Sequence, residues 1–112
     1  MLFYITTQDE ASAQRIADHL LKERLVACAN IFPIKSSYWW KDSLTYDNEA
    51  VLIVKTRESF ADKVEAEVRK IHHYECPCII RINAKANREF EEWIMRETEL
   101  PAQRTLSHQP FP

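Results

Sequence analysis

At 112 residues the chain has the size of one domain, and its 46% hydrophobic and 29% charged residues permit a packed core and argue against disorder. A net charge of −2, with both signs mixed along the chain, argues against a nucleic-acid partner, which needs a basic patch for phosphates. There is no glycine, which excludes Gly-rich phosphate loops and dinucleotide fingerprints and leaves Asn or Asp for turns that need positive φ.

The opening MLFYITTQDE has neither a basic n-region nor an apolar stretch long enough for a signal peptide or a membrane span, so the chain reads as cytoplasmic, without a membrane partner. Leu2 to Thr6 is a short apolar and β-branched run, read as a first strand. Ala13, Ile16, Ala17, Leu20 and Leu21 follow at the spacing of one helix face, with Thr7 or Asp9 as its cap. Leu25 to Trp40 reads as a long second strand with a bulge or bend at Pro33, because proline removes a ladder donor. Lys41 to Ser43 marks a turn, and 44–56 returns as a third strand whose buried portion is AVLIVKT. The polar TYDNEA before it belongs near an edge or a second bend.

A second helix is expected from Ser59, with Ser59 and Asp62 as a capping pair and Phe60, Val64, Val68 and Ile71 as its apolar face. HHYECP is a connection, and Cys78 to Ile82 a fourth strand. A third helix starts near Asn87 and carries Phe90, Trp93 and Ile94 on one side. The tail from Leu100 has little periodicity and is read as a short edge strand at most. The order is βαββαβ with an extra C-terminal helix, a single α+β domain of the ferredoxin-like kind over residues 1–112, built on an antiparallel sheet.

Two helices cover only one face of such a sheet. The run Tyr38, Trp39, Trp40 sharpens the point, because successive strand residues face opposite sides and one Trp must then look away from the other two aromatics. A second subunit is the simplest cover. Base stacking is the other use of such rings, but the first strand, LFYIT, offers aromatics without a basic residue.

The stretches VACANIFPIKSSYWWKDSL, EAVLIVKT and HHYECPCII, together with TTQDEASAQRIADHLLKERLVAC before them, resemble the CutA family of divalent-cation tolerance proteins over about residues 3 to 95. The resemblance implies a homotrimer whose second and third strands reach onto neighbouring subunits. It also implies a role in metal-ion tolerance, copper above all, kinship with PII-type signalling trimers, and no enzymatic reaction. The chain departs from the family pattern where Pro33-Ile34 replaces Pro-Gly, where His73 replaces a proline, and where Cys78 replaces a glutamate. The last two alter the chemistry of the expected site.

Within residues 72–78 stand His72, His73, Tyr74, Glu75, Cys76 and Cys78. Imidazole and thiolate suit copper and zinc, and thiolate suits Cu(I), so His72, His73, Cys76 and Cys78 are the candidate ligands for copper or another divalent cation. The spacing is not that of a closed zinc site, and the cysteines also make sense as small packed residues. With Cys28 they are three thiols without framework spacing, expected to be reduced. Trp40, Lys55 and Glu75 form a second constellation, in which Lys55 offers a cation to an anion or to Glu75 at a subunit interface. The resemblance implies a cleft between subunits lined by Trp40, Lys55, Tyr74 and Glu75, and leaves room for a partner protein or a small ligand.

Overall fold

In a computed structural model describing residues 1–99, the elements run β1 (Leu2–Thr7), α1 (Glu10–Lys22), β2 (Cys28–Trp40), β3 (Ser43–Lys55), a 3-10 turn (Glu58–Phe60), α2 (Ala61–Ile71), β4 (Ile79–Ile82) and α3 (Arg88–Glu97). The edge strand expected in the tail lies outside the described residues. The sheet order is β2-β3-β1-β4 and every pairing is antiparallel, which is the ferredoxin-like arrangement read from the sequence. Among the described residues no helix is long and apolar enough to cross a membrane.

Register explains the core. Phe3, Ile5 and Thr7 stand opposite Val54, Leu52 and Ala50, and all six are buried beneath the helices. Ala13, Ile16, Ala17 and Leu20 of α1 and Val64 and Val68 of α2 complete that layer. The alternate residues Leu2, Tyr4, Ile80 and Ile82 lie on the opposite face, where Ile80 and Ile82 remain exposed.

α1 starts as expected, with the Ser12 N–H donating to the Asp9 carboxylate at 2.8 Å. It ends in a motif the sequence did not announce. Arg24 adopts a left-handed φ of 58°, its N–H reaches the Leu21 carbonyl, and the Leu25 N–H reaches that of Leu20. Leu25 and Leu20 then pack in one core. The backbone at Leu25 is thus used to close the helix, and β2 starts at Cys28 rather than at Leu25. The Arg24 side chain bonds the Glu97 carboxylate at 3.2 Å, tying α1 to α3. The start of α2 also differs from expectation. Ser59 lies inside the 3-10 turn, and Phe60 occupies the cap position without a side-chain bond.

β2 and β3 pair without a break from Cys28↔Lys55 to Trp40↔Ser43, so there is no bulge at Pro33, which stands opposite Ala50. The reason is position: β2 is an edge strand, where a missing N–H that faces outward costs no ladder bond. β1 pairs only with Ala50–Lys55, so the pairs from Ile34↔Glu49 to Trp40↔Ser43 project as a two-stranded arm. At strand rise the arm is roughly 20 Å long, and the molecule measures 54 × 26 × 22 Å. TYDNEA lies in this arm up to Glu49, edge-like but not bent, and its last residue, Ala50, is already in the core. The arm closes in a two-residue turn at Lys41 and Asp42, with φ of 49° and 64°. Arg24 and Lys41 thereby take left-handed positions expected for Asn or Asp. Trp39 pairs with Leu44 on one face of the arm, where Tyr46 also stands, and Trp40 and Tyr38 lie on the other. Trp39 is 73% exposed and Tyr46 69% exposed, because the helices do not reach that far.

Candidate functional site

An open cleft of about 910 Å³ lies on the bare face of the sheet, between the arm and the loop joining α2 to β4. Strand parity selects its floor. Tyr4 and Thr6 of β1, Ile34, Ser36, Tyr38 and Trp40 of β2, and Asp47 and Glu49 of β3 all point to one side. Tyr74, Glu75, Cys76 and Cys78 form the wall.

That wall is pinned to the sheet. The His72 Nε2–H donates to the Thr6 carbonyl at 2.8 Å, and the Tyr74 N–H donates to His72 Nδ1 at 3.1 Å. Both partners require the neutral Nε2–H tautomer. The imidazole packs against the Tyr74 ring at an interplanar angle of 58°, with 4.9 Å between ring centroids. The Tyr74 hydroxyl donates to Glu49 Oε2 at 2.5 Å, and the Thr6 N–H donates to the Cys78 carbonyl at 3.4 Å. A matching phenol–carboxylate bond joins Tyr38 to Asp47 on the floor. Burial, followed by the bond to Glu49, pushes the Tyr74 phenol well above its usual range. The bond to Asp47 pushes the Tyr38 phenol up to about 12, with burial and the charges of Asp47 and Glu49 adding to it. At the rim Lys41 approaches Glu75 at 3.9 Å and lies 5.5 Å from the centroid of the Trp40 ring. Both partners of that ion pair are 72% exposed, so it adds little stability.

The expected ligand set separates. His72 turns into the β1 backbone, and His73 turns away towards α1, where Arg15 donates to its Nε2 at 2.9 Å. Only Cys76 and Cys78 of the four line the cleft. Among the described residues no three His, Cys, Asp or Glu side chains come together to hold a metal ion. The donor set of one chain therefore does not fit a divalent cation, which takes four or more ligands. The correction has a local cause: a loop pinned at alternate residues sends its neighbours to different sides. All three cysteines are free thiols, Cys28 and Cys78 half-buried and Cys76 exposed, so the packing reading fails for Cys76.

Of Trp40, Lys55, Tyr74 and Glu75, the residues expected around one cleft, Trp40, Tyr74 and Glu75 line this one. Lys55 does not. It pairs with Leu2, at the far end of β1 from Thr6, and its Nζ lies 5.5 Å from the centroid of the Phe90 ring. Within one chain the cation beside Glu75 is Lys41, whereas the Lys55–Glu75 pair expected from the sequence is one between subunits. Sequence reasoning also missed Asp47 and Glu49. Their signal is the register across the arm, which aligns Asp47 with Ser36 and Glu49 with Ile34.

A ferredoxin-like sheet with a projecting arm and a polar cleft on its uncovered face defines a small α+β domain of the ferredoxin-like class rather than a nucleotide-loop fold. The match to known proteins makes this specific. Residues 1–97 match the model of the family described as CutA1 divalent ion tolerance protein, and the chain belongs to that family. It is 42% identical over 97 residues to the divalent-cation tolerance protein CutA of Archaeoglobus fulgidus, covering 86% of this chain and 95% of that protein. A structure of the Archaeoglobus protein, described as periplasmic, superposes with a TM-score of 0.81. The crystal structure of CutA1 from Pyrococcus horikoshii is 35% identical, with a TM-score of 0.84 and coverage of 88% of this chain and 98% of that one. A PII-like CutA from Nostoc sp., solved in apo form, is 26% identical over 88% of this chain and 97% of its own, with a TM-score of 0.82.

Proposed function

We propose that the chain works as a homotrimeric, non-catalytic binding module in divalent-cation tolerance, with copper the foremost cation, and that its cleft takes a ligand whose arrival is read out by the assembly. The observation that carries this reading is the uncovered sheet face, with exposed Ile80, Ile82 and Trp40 beside a polar cleft, together with Trp39 and Tyr46 exposed on the other face of the arm. A two-stranded ribbon is marginal in water on its own, so the arm needs a neighbour to lie on. Obligate interfaces of this kind bury over ~2,000 Å². Binding rather than acid–base chemistry suits the cleft, since Asp47 and Glu49 accept from phenols, Glu75 faces Lys41, and the His72 imidazole behind the wall serves the backbone. The PII-like description of the Nostoc relative supports a signalling use. We place the module in the cytoplasm, where its free thiols stay reduced, although the Archaeoglobus relative is described as periplasmic; cell fractionation decides between the two.

A scaffold that binds a partner protein, with an indirect link to metal, is the second reading. It is favoured by the lack of a three-donor cluster among the described residues. Light scattering tests the assembly, and calorimetry with Cu(II) and Zn(II) on the same sample separates the two readings. A trimer that takes up either ion supports the first, and a trimer that takes up neither supports the scaffold. A monomer at micromolar concentration removes both. Trp40→Ala should weaken assembly by about 2 kcal/mol or more, as for an aromatic anchor.

A further inference from the structure

We infer that Cys76 and Cys78 form a two-thiolate site for a soft monovalent ion, Cu(I), within the cleft. This deepens the cation-tolerance reading and rests on it for its use in the cell. The motif is Cys76-Pro77-Cys78. Pro77 fixes its own φ and disfavours helical geometry at Cys76, which sits in a bend with Glu75, while Cys78 leads directly into β4. Cys76 and Cys78 both line the cleft, and Pro77 between them does not.

The pair is held in place from both ends. Tyr74 is anchored to His72 and Glu49 before it, and the Cys78 carbonyl accepts from the Thr6 amide after it. Both thiols are free, and Cys76 is exposed and open to an incoming ion. The hard donors of the floor are engaged, Asp47 by the Tyr38 phenol and Glu49 by the Tyr74 phenol. Among the described residues no third donor joins the two thiols, which suits Cu(I) in a two-coordinate sulfur environment and leaves Zn(II) short of its tetrahedron. Hard cations such as Mg(II) find no match in thiolates.

Binding breaks two S–H bonds, forms two Cu–S bonds and releases two protons to solvent. No electron is transferred, because copper arrives already as Cu(I). The bound unit carries one negative charge, and Lys41 on the rim supplies the nearby cation. Proton release makes the affinity rise with pH.

The test is anaerobic titration of the full chain with Cu(I) presented by a coloured chelator, read as copper removed from the dye. The wild-type chain should take stoichiometric Cu(I), with sulfur alone in the copper shell by X-ray absorption. Cys28→Ser and His73→Ala should take the same amount, while Cys76→Ser, Cys78→Ser double variants should take none. Circular dichroism and light scattering of the double variant check that fold and assembly persist. Full uptake by the double variant, loss of uptake in Cys28→Ser, or nitrogen ligands on the copper would overturn the inference. If the protein binds Cu(II) or Zn(II) by calorimetry but takes no Cu(I), the thiol site falls and the functional reading survives. If Cu(I) is held by the pair in a protein that does not trimerise, the site stands and that reading falls.

Discussion

Replacing His72 with alanine removes two hydrogen bonds at once, and the structure sets the size of the effect. The Thr6 carbonyl loses its Nε2–H donor and the Tyr74 amide loses its Nδ1 acceptor, both at part-buried positions. Each bond contributes about 1 kcal/mol net, and water can reach a half-buried loop, so the penalty for orphaned groups stays near the low end. His72→Ala should therefore destabilise the protein by about 2 kcal/mol. For a domain of this size that lowers the midpoint by roughly 10 °C. An assembling chain has a concentration-dependent midpoint, so thermal or urea unfolding must be compared at equal protein concentration. His72→Asn offers Oδ1 where Nδ1 stood and should recover about half of the loss. His73→Ala, next in sequence but exposed and bonded to Arg15, should change stability by less than about 0.5 kcal/mol. Equal stabilities for the two alanine variants would refute the assignment of His72 as the structural histidine of the pair.

The other predictions are independent of this one. Asp42→Gly relieves a left-handed residue at the arm's turn and should stabilise by about 1 kcal/mol, seen as a higher midpoint; an unchanged or lower midpoint counts against a turn of that type. Spectrophotometric titration should show Tyr38 ionising near 12 and Tyr74 later still, with Tyr38→Phe and Tyr74→Phe assigning the steps. Raised folded-state values mean that this stabilisation is complete below the usual value of 10.0 and is lost as pH climbs through about 12 for Tyr38. Glu67 should behave in the opposite sense. Lys70 at 2.7 Å and then His19 at 3.0 Å hold its carboxyl down to about 2, from a usual value of 4.5. Its stabilisation is present above that usual value and is lost as pH falls through about 2, so the gap between wild type and Glu67→Gln should close over that acid range.

How much of this was legible depended on whether local or cross-strand information was needed. Four of the five residues read onto the α1 face are buried and Leu21 is exposed, while the cap is Asp9, one of the two residues offered for it. The apolar run Ala50–Val54 needed no partner to declare itself, and all of it but the half-buried Ile53 is buried. The arm was different. A turn read as Lys41–Ser43 leaves the facing of residues 43–49 undetermined, whereas a two-residue turn at Lys41 and Asp42 fixes it. Only then do Asp47 and Glu49 fall on the same side as Tyr38, and the cleft floor becomes visible. The histidines were misjudged for another reason. An imidazole looks alike in sequence whether it binds a metal or a carbonyl, and the acceptor that claims His72 is the backbone of Thr6, sixty-six residues away. Lys55 was placed at a strand end, but the sequence does not say which end of the sheet the next loop will visit.

Three left-handed residues, Arg24, Lys41 and Asp42, are held in a chain that contains no glycine. Left-handed geometry costs each of them roughly 1–2 kcal/mol in the native state. The denatured ensemble offsets part of that cost. A glycine wanders over both signs of φ when unfolded and must surrender that freedom to fold, and this polypeptide has none to surrender. Its unfolded state is correspondingly narrower, so strain in the native turns is set against an impoverished random coil. Putting glycine at all three positions would relax the turns while widening the coil and, at Arg24, cutting the tie to Glu97. The net gain from the triple change should therefore fall well short of three times the strain of one residue.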